Sequence, residues 1–330
     1  MTPDMMQAAV LESYGAVENL HVVSVPRPVP AADQVRIRVH ATTVSAGDWR
    51  LRTVDVPAPV FKPMVKLLFG FKRPKNGILG TELAGEIESV GAQVTQFRPG
   101  QRVWAATGNF LGAHAQYIVL PQTAPIAPMP AALSYSEAAS IPFGALTALF
   151  FLRDQAQLQR GQRLLIVGAS GAVGVYAVQL AKYLGANVTA VCSTANLARM
   201  RELGADAVVD YSTQDYHTAR QPYDAIFDTV GATNLDRCRS ILNPKGVFLA
   251  TVMRGREIWQ SIWTPIFSSH VLKAGVSVES AANLEYLRSL VEAGAIRPVI
   301  DSRYPLQQIR QAHLRTESRR KVGSVVVEIP

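Results

Sequence analysis

Residues 164–194, LLIVGASGAVGVYAVQLAKYLGANVTAVCST, constrain the fold more than any other stretch of the chain. A short apolar run, LLIV, has the length of a buried strand and leads directly into Gly168, Gly171 and Gly174 in G-x-x-G-x-x-G spacing. Val173, Ala177, Leu180, Ala181 and Leu184 then recur at helical intervals, and Gly185 stands where a left-handed residue closes a helix. Strand, glycine turn and helix in this order begin a β-α-β unit. In that context the glycines let backbone approach a pyrophosphate, and free N–H groups at the helix start hold its charge. A tight turn without a ligand is the plainer alternative.

About 20 residues past the first glycine, an NAD site places Asp or Glu on the adenosine ribose. This chain reads VCSTANLARM there, with no carboxylate. Ser193 and Thr194 are hydrogen-bond donors, and Arg199 stands one turn into the next helix. A 2′-phosphate carries most of two negative charges, so the pattern predicts NADP(H) as the cofactor. Ser193 and Thr194 acting only as caps of the helix ANLARMREL is the alternative.

The 330 residues suffice for two domains, or for one interrupted by another, and 48% hydrophobic with 18% charged residues predicts a folded core. Cys192 and Cys238 are the two cysteines, which excludes a disulfide framework and a four-cysteine zinc lobe. No apolar run reaches the ~18 residues of a membrane span, and MTPDMMQAAVLESYG has no basic region leading into an apolar one. A soluble, cytoplasmic protein without stable membrane insertion is expected. The net charge of +8 is mostly scattered and comes with no nucleic-acid-reading motif, so no nucleic-acid partner is expected. Its densest group, FKPMVKLLFGFKRPK at 61–75, reads as a solvated helix and loop, with a membrane surface or an entrance for an anionic or apolar ligand as alternatives.

Residues 1–127 read as β-rich. QVRIRVHA alternates Val35, Ile37 and Val39 with Gln34, Arg36, Arg38 and His40, as a half-buried strand does. GTELAGEIESVG, QRVWAATG and AHAQYIVLP are further strands, and the proline-dense PQTAPIAPMPAAL at 121–133 is the expected domain crossing. Ser134 with Glu137 fits a capping box, Pro142 interrupts the helical pattern, and a second helix is predicted from Gly144 to about Leu152. From Arg163 the strands RLLIV, NVTAV, AVV, DAIFDTV, GVFLAT and GVSV alternate with helices, which predicts a parallel sheet covered on both faces. The final SVVVEI is expected to return to the first domain.

With these segments in hand, the chain resembles the medium-chain dehydrogenase/reductase superfamily, and within it the zinc-free quinone oxidoreductase (zeta-crystallin-like) branch. VHATTVSAGDWRLR, GTELAGEIESVG, RPGQRVW, GAHAQYIVLP, SEAASIPFGALTALFFL, GASGAVGVYAVQLAKYLGA and LGADAVVDY follow one another in that family's order. The resemblance implies an α/β fold: a GroES-like β domain from 1–127 and 275–330, and a Rossmann domain with a doubly wound parallel sheet at 128–274. Zinc alcohol dehydrogenases of the superfamily have Cys and His where this chain has Ser45 and Thr81, and IPFGALTAL, where the third ligand falls, has neither; Glu82 alone remains. Since a catalytic zinc takes about three protein ligands, no metal is expected, and His40 and His114 read as packed or surface histidines. The family's cofactor positions imply Thr147 near the nicotinamide and Gly168, Ser170, Gly171, Ala172, Val173 and Gly174 around the pyrophosphate. They imply Tyr211 near the adenosine phosphate, Val230, Gly231, Ala250, Thr251 and Val252 beside the nicotinamide, and Lys321, Gly323 and Ser324 at a last cofactor-touching turn. Many relatives have Asn at Ser45, and close ones have Lys or Arg at Ala195.

Without zinc, an alkoxide needs another stabiliser, and no Ser/Tyr/Lys or His relay is visible. Hydride addition to a quinone or an electron-poor C=C asks less, because one or two hydrogen-bond donors meet the charge as it spreads onto a conjugated oxygen. The expected function is NADPH-dependent reduction of a quinone or α,β-unsaturated carbonyl, with Ser45 and Asp48 as positioning groups and Asp48 as a helix cap its equal alternative. A metal-independent NADP-dependent alcohol or carbonyl dehydrogenase and a non-enzymatic NADPH-binding sensor or structural protein are the rivals. A homodimer is expected through the outer strand GVSV, with Trp259, Trp263 and Phe267 as an apolar stripe at the interface, along the pocket or in the core.

Overall fold

Alternating apolar residues become strands wherever one face can be buried, and the chain supplies two sets of them. The computed structural model describes residues 4–55, 62–75, 77–253 and 255–330, without the side chains of Met64, Asn109, Pro265, Ile266 and Phe267. Strands β1 (Met5–Leu11), β2 (Leu20–Pro26), β3 (Gln34–Thr43), β4 (Glu82–Val90), β5 (Arg102–Ala106), β6 (Tyr117–Pro121) and β7 (Ile126–Pro128) come first. Helices α1 (Ala46–Thr53) and α2 (Lys62–Phe69) stand between β3 and β4, and α3 (Tyr135–Ala139) and α4 (Pro142–Leu149) follow β7. Next come β8 (Arg163–Val167), α5 (Ala172–Tyr183), β9 (Asn187–Cys192), α6 (Leu197–Glu202), β10 (Ala207–Asp210), β11 (Tyr223–Asp228), α7 (Leu235–Cys238), β12 (Leu242–Ala250), α8 (Gly255–Phe267) and β13 (Val271–Ala274). Helix α9 (Ala281–Glu292), β14 (Ile300–Pro305), α10 (Ile309–Glu317) and β15 (Ser324–Glu328) complete the chain.

The chain divides into two compact units, Met1–Phe143 with Glu279–Pro330 and Gly144–Val278. The first holds the hairpin β1-β2 and a seven-stranded sheet, β14-β15-β3-β4-β5-β7 with β6 on β3. Val35, Ile37 and Val39 of β3 are fully buried, together with Leu83, Ile87, Val103, Val325 and Val327. SVVVEI returns as expected: β15 pairs antiparallel with β3, Val326 opposite Thr43. The first unit reaches past the expected crossing at 127/128 because α3, capped by Ser134 and Glu137, packs on β3 and β4.

The second unit is a six-stranded sheet ordered β10-β9-β8-β11-β12-β13. All its pairs are parallel, and its core joins Leu165, Val191, Ile226, Phe248 and Leu272. That order is the doubly wound one, which reverses direction between β8 and β11. The last strand is VLKA at 271–274, not the expected GVSV at 275–278. Its partner β12 ends at Ala250, opposite Ala274, so residues beyond have no backbone to pair with. The helical pattern is interrupted before Pro142 as expected, and the second helix starts at Pro142 itself rather than at Gly144, as a missing N–H permits in a first turn; a π-helical stretch follows at Phe150–Gln155. The helical run Tyr135–Gln155 is long and apolar enough to cross a bilayer, but 67% of its most apolar window is buried inside the protein.

Among the described residues, His313 of the first unit is buried without a hydrogen bond. His114 lies with Nε2 at 2.9 Å from the Thr43 carbonyl, and its ring meets His313 edge-on at 5.8 Å. Neither ring nitrogen of His313 has a partner among the described residues. Burial, then His114 and Arg52, hold its pKa well below the ordinary histidine value. The folded protein therefore keeps His313 neutral, and this contribution to stability is fully present above the unfolded value near 6.5 and is lost as pH falls towards the folded one. His313→Leu is expected to raise stability by about 1 kcal/mol at neutral pH. It should also flatten the loss of stability below pH ~6.5. Urea unfolding across that range checks both, and an unchanged acid slope would rule the histidine out as its source.

Candidate active site

Two of the three glycines in the turn of the second unit stand where no side chain fits. Gly168 has φ +76°, and a Cβ on it would lie 2.6 Å from Val230 Cγ1 and 2.8 Å from Thr229 Oγ1. A Cβ on Gly174 would lie 2.3 Å from the Gly168 carbonyl oxygen, so the first turn of α5 rests on the glycine turn itself. Gly171, the N-cap of α5, meets only that oxygen at 3.4 Å. Ala172, Val173 and Gly174 supply the unpaired N–H groups of a helix start, with Ser170 beside them. Helix α4 closes on the same place. A Cβ on Gly144 would lie 2.3 Å from the Ala172 carbonyl oxygen, and half-exposed Thr147 follows one turn later.

The ends of β11 and β12 complete this cradle. Buried Asp228 accepts from the N–H groups of Val230 at 3.0 Å, Gly231 at 2.8 Å and Thr233 at 2.8 Å. Thr229 donates to the carbonyls of Val167 at 2.9 Å and Gly168 at 3.1 Å, which ties β11 to the glycine turn. Gly231 lies against Val252, and Thr251 N donates to Asp228 O at 3.2 Å, so Ala250, Thr251 and Val252 join the group. The cradle fits a dinucleotide: backbone donors at the reversal of strand order and space that Cβ atoms would fill.

At the outer rim the structure qualifies one expectation. Ser193 caps no helix with its side chain and accepts from Asn196 Nδ2 at 3.2 Å. Thr194, however, gives its hydroxyl to Asp210 Oδ2 at 2.5 Å, and so is not a free donor. Ser212 binds the same carboxylate through its N–H at 2.9 Å and its hydroxyl at 2.6 Å, and Ser212 and Thr194 together hold Asp210 below the usual carboxylate range. Asp210 ends β10, next to exposed Tyr211, and Arg199 pairs with Glu202 at 3.2 Å on the surface. The sequence showed no acid after β9; this one arrives from the neighbouring strand.

In the first unit a chain of polar groups surrounds the start of α1. Ser45 caps that helix, accepting from Asp48 N at 3.2 Å and donating through its hydroxyl to Asp48 Oδ2 at 2.7 Å. Asp48 also accepts from Ser45 N at 2.8 Å and Gly80 N at 2.9 Å, so it is the helix cap and a brace for the next loop at once. Thr81 Oγ1 lies 3.1 Å from Ser45 Oγ and is the half-exposed end of the chain. Next to it, buried Glu82 accepts from Thr43 and from Phe143 N at 2.6 Å. Burial pushes its carboxyl up to about 8, and Asp48 and Glu279 push the same way. Glu279, whose carboxylate lies against Gly108, is raised to about 7 by burial. Lys321 is lowered to about 8 by burial and donates to Gly323 O at 2.6 Å. Gly323 lies against the Val299 carbonyl, and Ser324 gives its hydroxyl to Ser140 O at 2.7 Å. His40 stacks on Tyr135 at 4.2 Å and, like His114, serves packing. Thr81 as a donor, Asp210, Asp228 and Glu279 were not found from sequence; an acid directly after an apolar strand, as in VVDY and IFDTV, was the available signal for two of them.

Residues 31–131 match the family described as alcohol dehydrogenase GroES-like domain, and residues 203–327 the one described as zinc-binding dehydrogenase. The chain is 30% identical over 340 residues to the chloroplast envelope quinone oxidoreductase homolog of Arabidopsis thaliana, covering 99% of this chain and 100% of the relative. It is 29% identical over 363 residues to NAD(P)H oxidoreductase RTN4IP1, mitochondrial, of Mus musculus, covering 98% of this chain and 89% of that one. Among solved structures, the quinone oxidoreductase from Coxiella burnetii superimposes with a TM-score of 0.86 at 26% identity, over 99% of this chain and 100% of that one. Fold, cradle and relatives define an NAD(P)H-dependent oxidoreductase of the quinone oxidoreductase type. The chain belongs to the medium-chain dehydrogenase/reductase superfamily, as its motifs implied. The zinc of some members does not fit here. Two ligand positions hold the neutral hydroxyls of Ser45 and Thr81, and among the described residues no three of His, Cys, Asp and Glu come together as a metal cluster.

The glycine geometry leads to a graded expectation. Gly174→Asp and Gly168→Val should abolish dinucleotide binding, while Gly171→Ala should keep it within about tenfold, since 3.4 Å is an ordinary contact. Fluorescence titration with reduced cofactor measures all three, and equal losses would contradict the role given to close approach.

Proposed function

We propose that the protein reduces quinones or α,β-unsaturated carbonyls with NADPH and without a catalytic metal. The observation that carries this is the hydroxyl pair of Ser45 and Thr81, braced by Asp48, at the positions where zinc ligands would stand. Bound NADPH would supply a hydride to an electron-poor carbon. The charge that leaves that carbon collects on a conjugated oxygen, where a hydroxyl donor stabilises it. Thr81 is the half-exposed end of the pair; since Ser45 gives its proton to Asp48, Thr81 donates to Ser45 at rest and turns its hydroxyl to the conjugated oxygen when substrate is bound, while Asp48 fixes Ser45 through the capping box. Water delivers the final proton.

The preference for NADPH is supported by the absence of an acid after β9, by Ser193, whose hydroxyl finds no acceptor among the described residues, and by the surface guanidinium of Arg199. Asp210 works against it, because its charge lies at the same rim and occupies Thr194. A homodimer is supported by β13, which has a partner on one side only, and by Trp259 and Trp263. Their rings lie 5.8 Å apart on the exposed face of α8 and line a surface cavity of about 350 Å³ with Arg239, Gln260, Thr264 and Ser268. Phe267, the third member of the expected stripe, has its side chain outside the described residues.

Following NADPH loss across quinones, enones and, in reverse, alcohols tests the reaction class. Ser45→Ala and Thr81→Ala should each lower kcat/KM by ~10–100-fold, the scale of about 1.4–2.7 kcal/mol for a positioning hydrogen bond. Purified protein should hold far less than one equivalent of zinc. Stoichiometric zinc, with turnover stopped by a chelator, would replace this reading with an alcohol dehydrogenase, and NADPH binding without any turnover would leave a sensor. For the cofactor, Ser193→Asp should move preference towards NADH, and Asp210→Asn should tighten NADPH by about threefold or more. Parallel titrations of both cofactors decide this, and an unchanged ratio in both variants would remove the rim from the argument.

A further inference from the structure

Between Asp55 and Glu82 the chain has no acidic residue, while Lys62, Lys66, Lys72, Arg73 and Lys75 crowd one part of that interval. None of the five makes an ion pair or a side-chain hydrogen bond among the described residues. Helix α2 packs Phe69 onto the cluster of Leu11, Leu20, Leu79 and Leu111. Its other face is bare: Leu67 is 66% and Leu68 60% exposed, and Phe71 just beyond is 71% exposed.

The turn that carries Phe71 is tied down. Gly70, at φ +129°, reverses the chain so closely that a Cβ would lie 2.2 Å from the Arg73 carbonyl oxygen. Tyr14 donates from its hydroxyl to Gly70 O at 3.0 Å and from its N–H to Lys72 O at 3.0 Å, and Lys75 N donates to Phe69 O at 2.7 Å. Three large apolar side chains are thus exposed on and beside a fixed turn, within a stretch whose five cations make no ion pair among the described residues. Exposed apolar groups that close together mark an interaction site. A nucleic acid would use the cations and leave the leucines wet. An anionic bilayer uses both, taking apolar groups ~5–10 Å into the headgroup boundary while its phosphates and carboxylates meet Lys and Arg.

We infer that residues 62–75 seat the protein on anionic membrane surfaces, with Leu67, Leu68 and Phe71 in the headgroup boundary and without spanning the bilayer. The acceptor class this implies, a quinone with a lipid-soluble tail, rests on the reductase reading above.

The test is co-sedimentation of the full chain with vesicles of phosphatidylcholine, alone or mixed with phosphatidylserine. Binding should be more than about tenfold stronger with phosphatidylserine and should fall at high salt. The variant Leu67→Ser/Leu68→Ser/Phe71→Ser should lose about tenfold or more. Lys62→Gln, Lys66→Gln and Lys72→Gln should each cost about fivefold. All should retain NADPH oxidation with a water-soluble quinone, which also reports folding. No phosphatidylserine-dependent binding, undiminished binding by the apolar variant, or retention on heparin without vesicle binding would each overturn the inference. Vesicle binding without quinone turnover would leave the docking surface standing and remove the reductase reading.

Discussion

The contact between α5 and the glycine turn is the constraint on which the second unit depends. Gly174 sits so near the Gly168 carbonyl that the helix begins directly over the end of β8. Because β8 and β11 are neighbours where the strand order reverses, the helix start, Asp228–Gly231 and Ala250–Val252 converge on one point. Gly144 extends the same logic to α4, which approaches the start of α5 without a Cβ between them. Small residues thus place backbone dipoles where larger ones would hold the layers apart, and the cradle follows from that spacing.

The first unit obtains its polar site by another route, the burial of groups that satisfy one another. Asp48 is fully buried yet accepts from two backbone N–H groups and a hydroxyl, so its capping of α1 and its hold on Ser45 are one arrangement. Glu82 accepts from two donors among the described residues, and burial outweighs them and raises its carboxyl to about 8.

Most of the architecture was legible, because its signals are local. Alternation in QVRIRVHA, glycine spacing in GASGAVG and the Ser134–Glu137 box each act within a few residues, and each reappears as the element it predicted. What escaped depends on register between distant segments. The last strand moved from GVSV to VLKA because β12, not the strand's own pattern, decides where pairing stops. Thr194 looked like a free donor until β10, paired alongside β9, brought Asp210 to its hydroxyl. Asp48 could be read from sequence as a cap or as a positioning group, and in the structure its cap geometry is also what orients Ser45.

The return of β15 to β3 bears on the order in which a nascent chain acquires its structure. Every strand of the second unit has been made once Ala274 is complete, and no later segment joins its sheet. The first unit begins earlier but finishes later, since Ala41–Thr43 of β3, beyond the stretch paired by β6, lack a neighbour on one side until Ser324–Glu328 emerge. Until then Thr42 and Thr43 present an open edge beside Val44, whose carbonyl Thr316 has yet to reach. A ribosome stalled between these points carries a finished sheet and an unfinished one. A chaperone recognising unpaired strand edges would find its target in the half synthesised first.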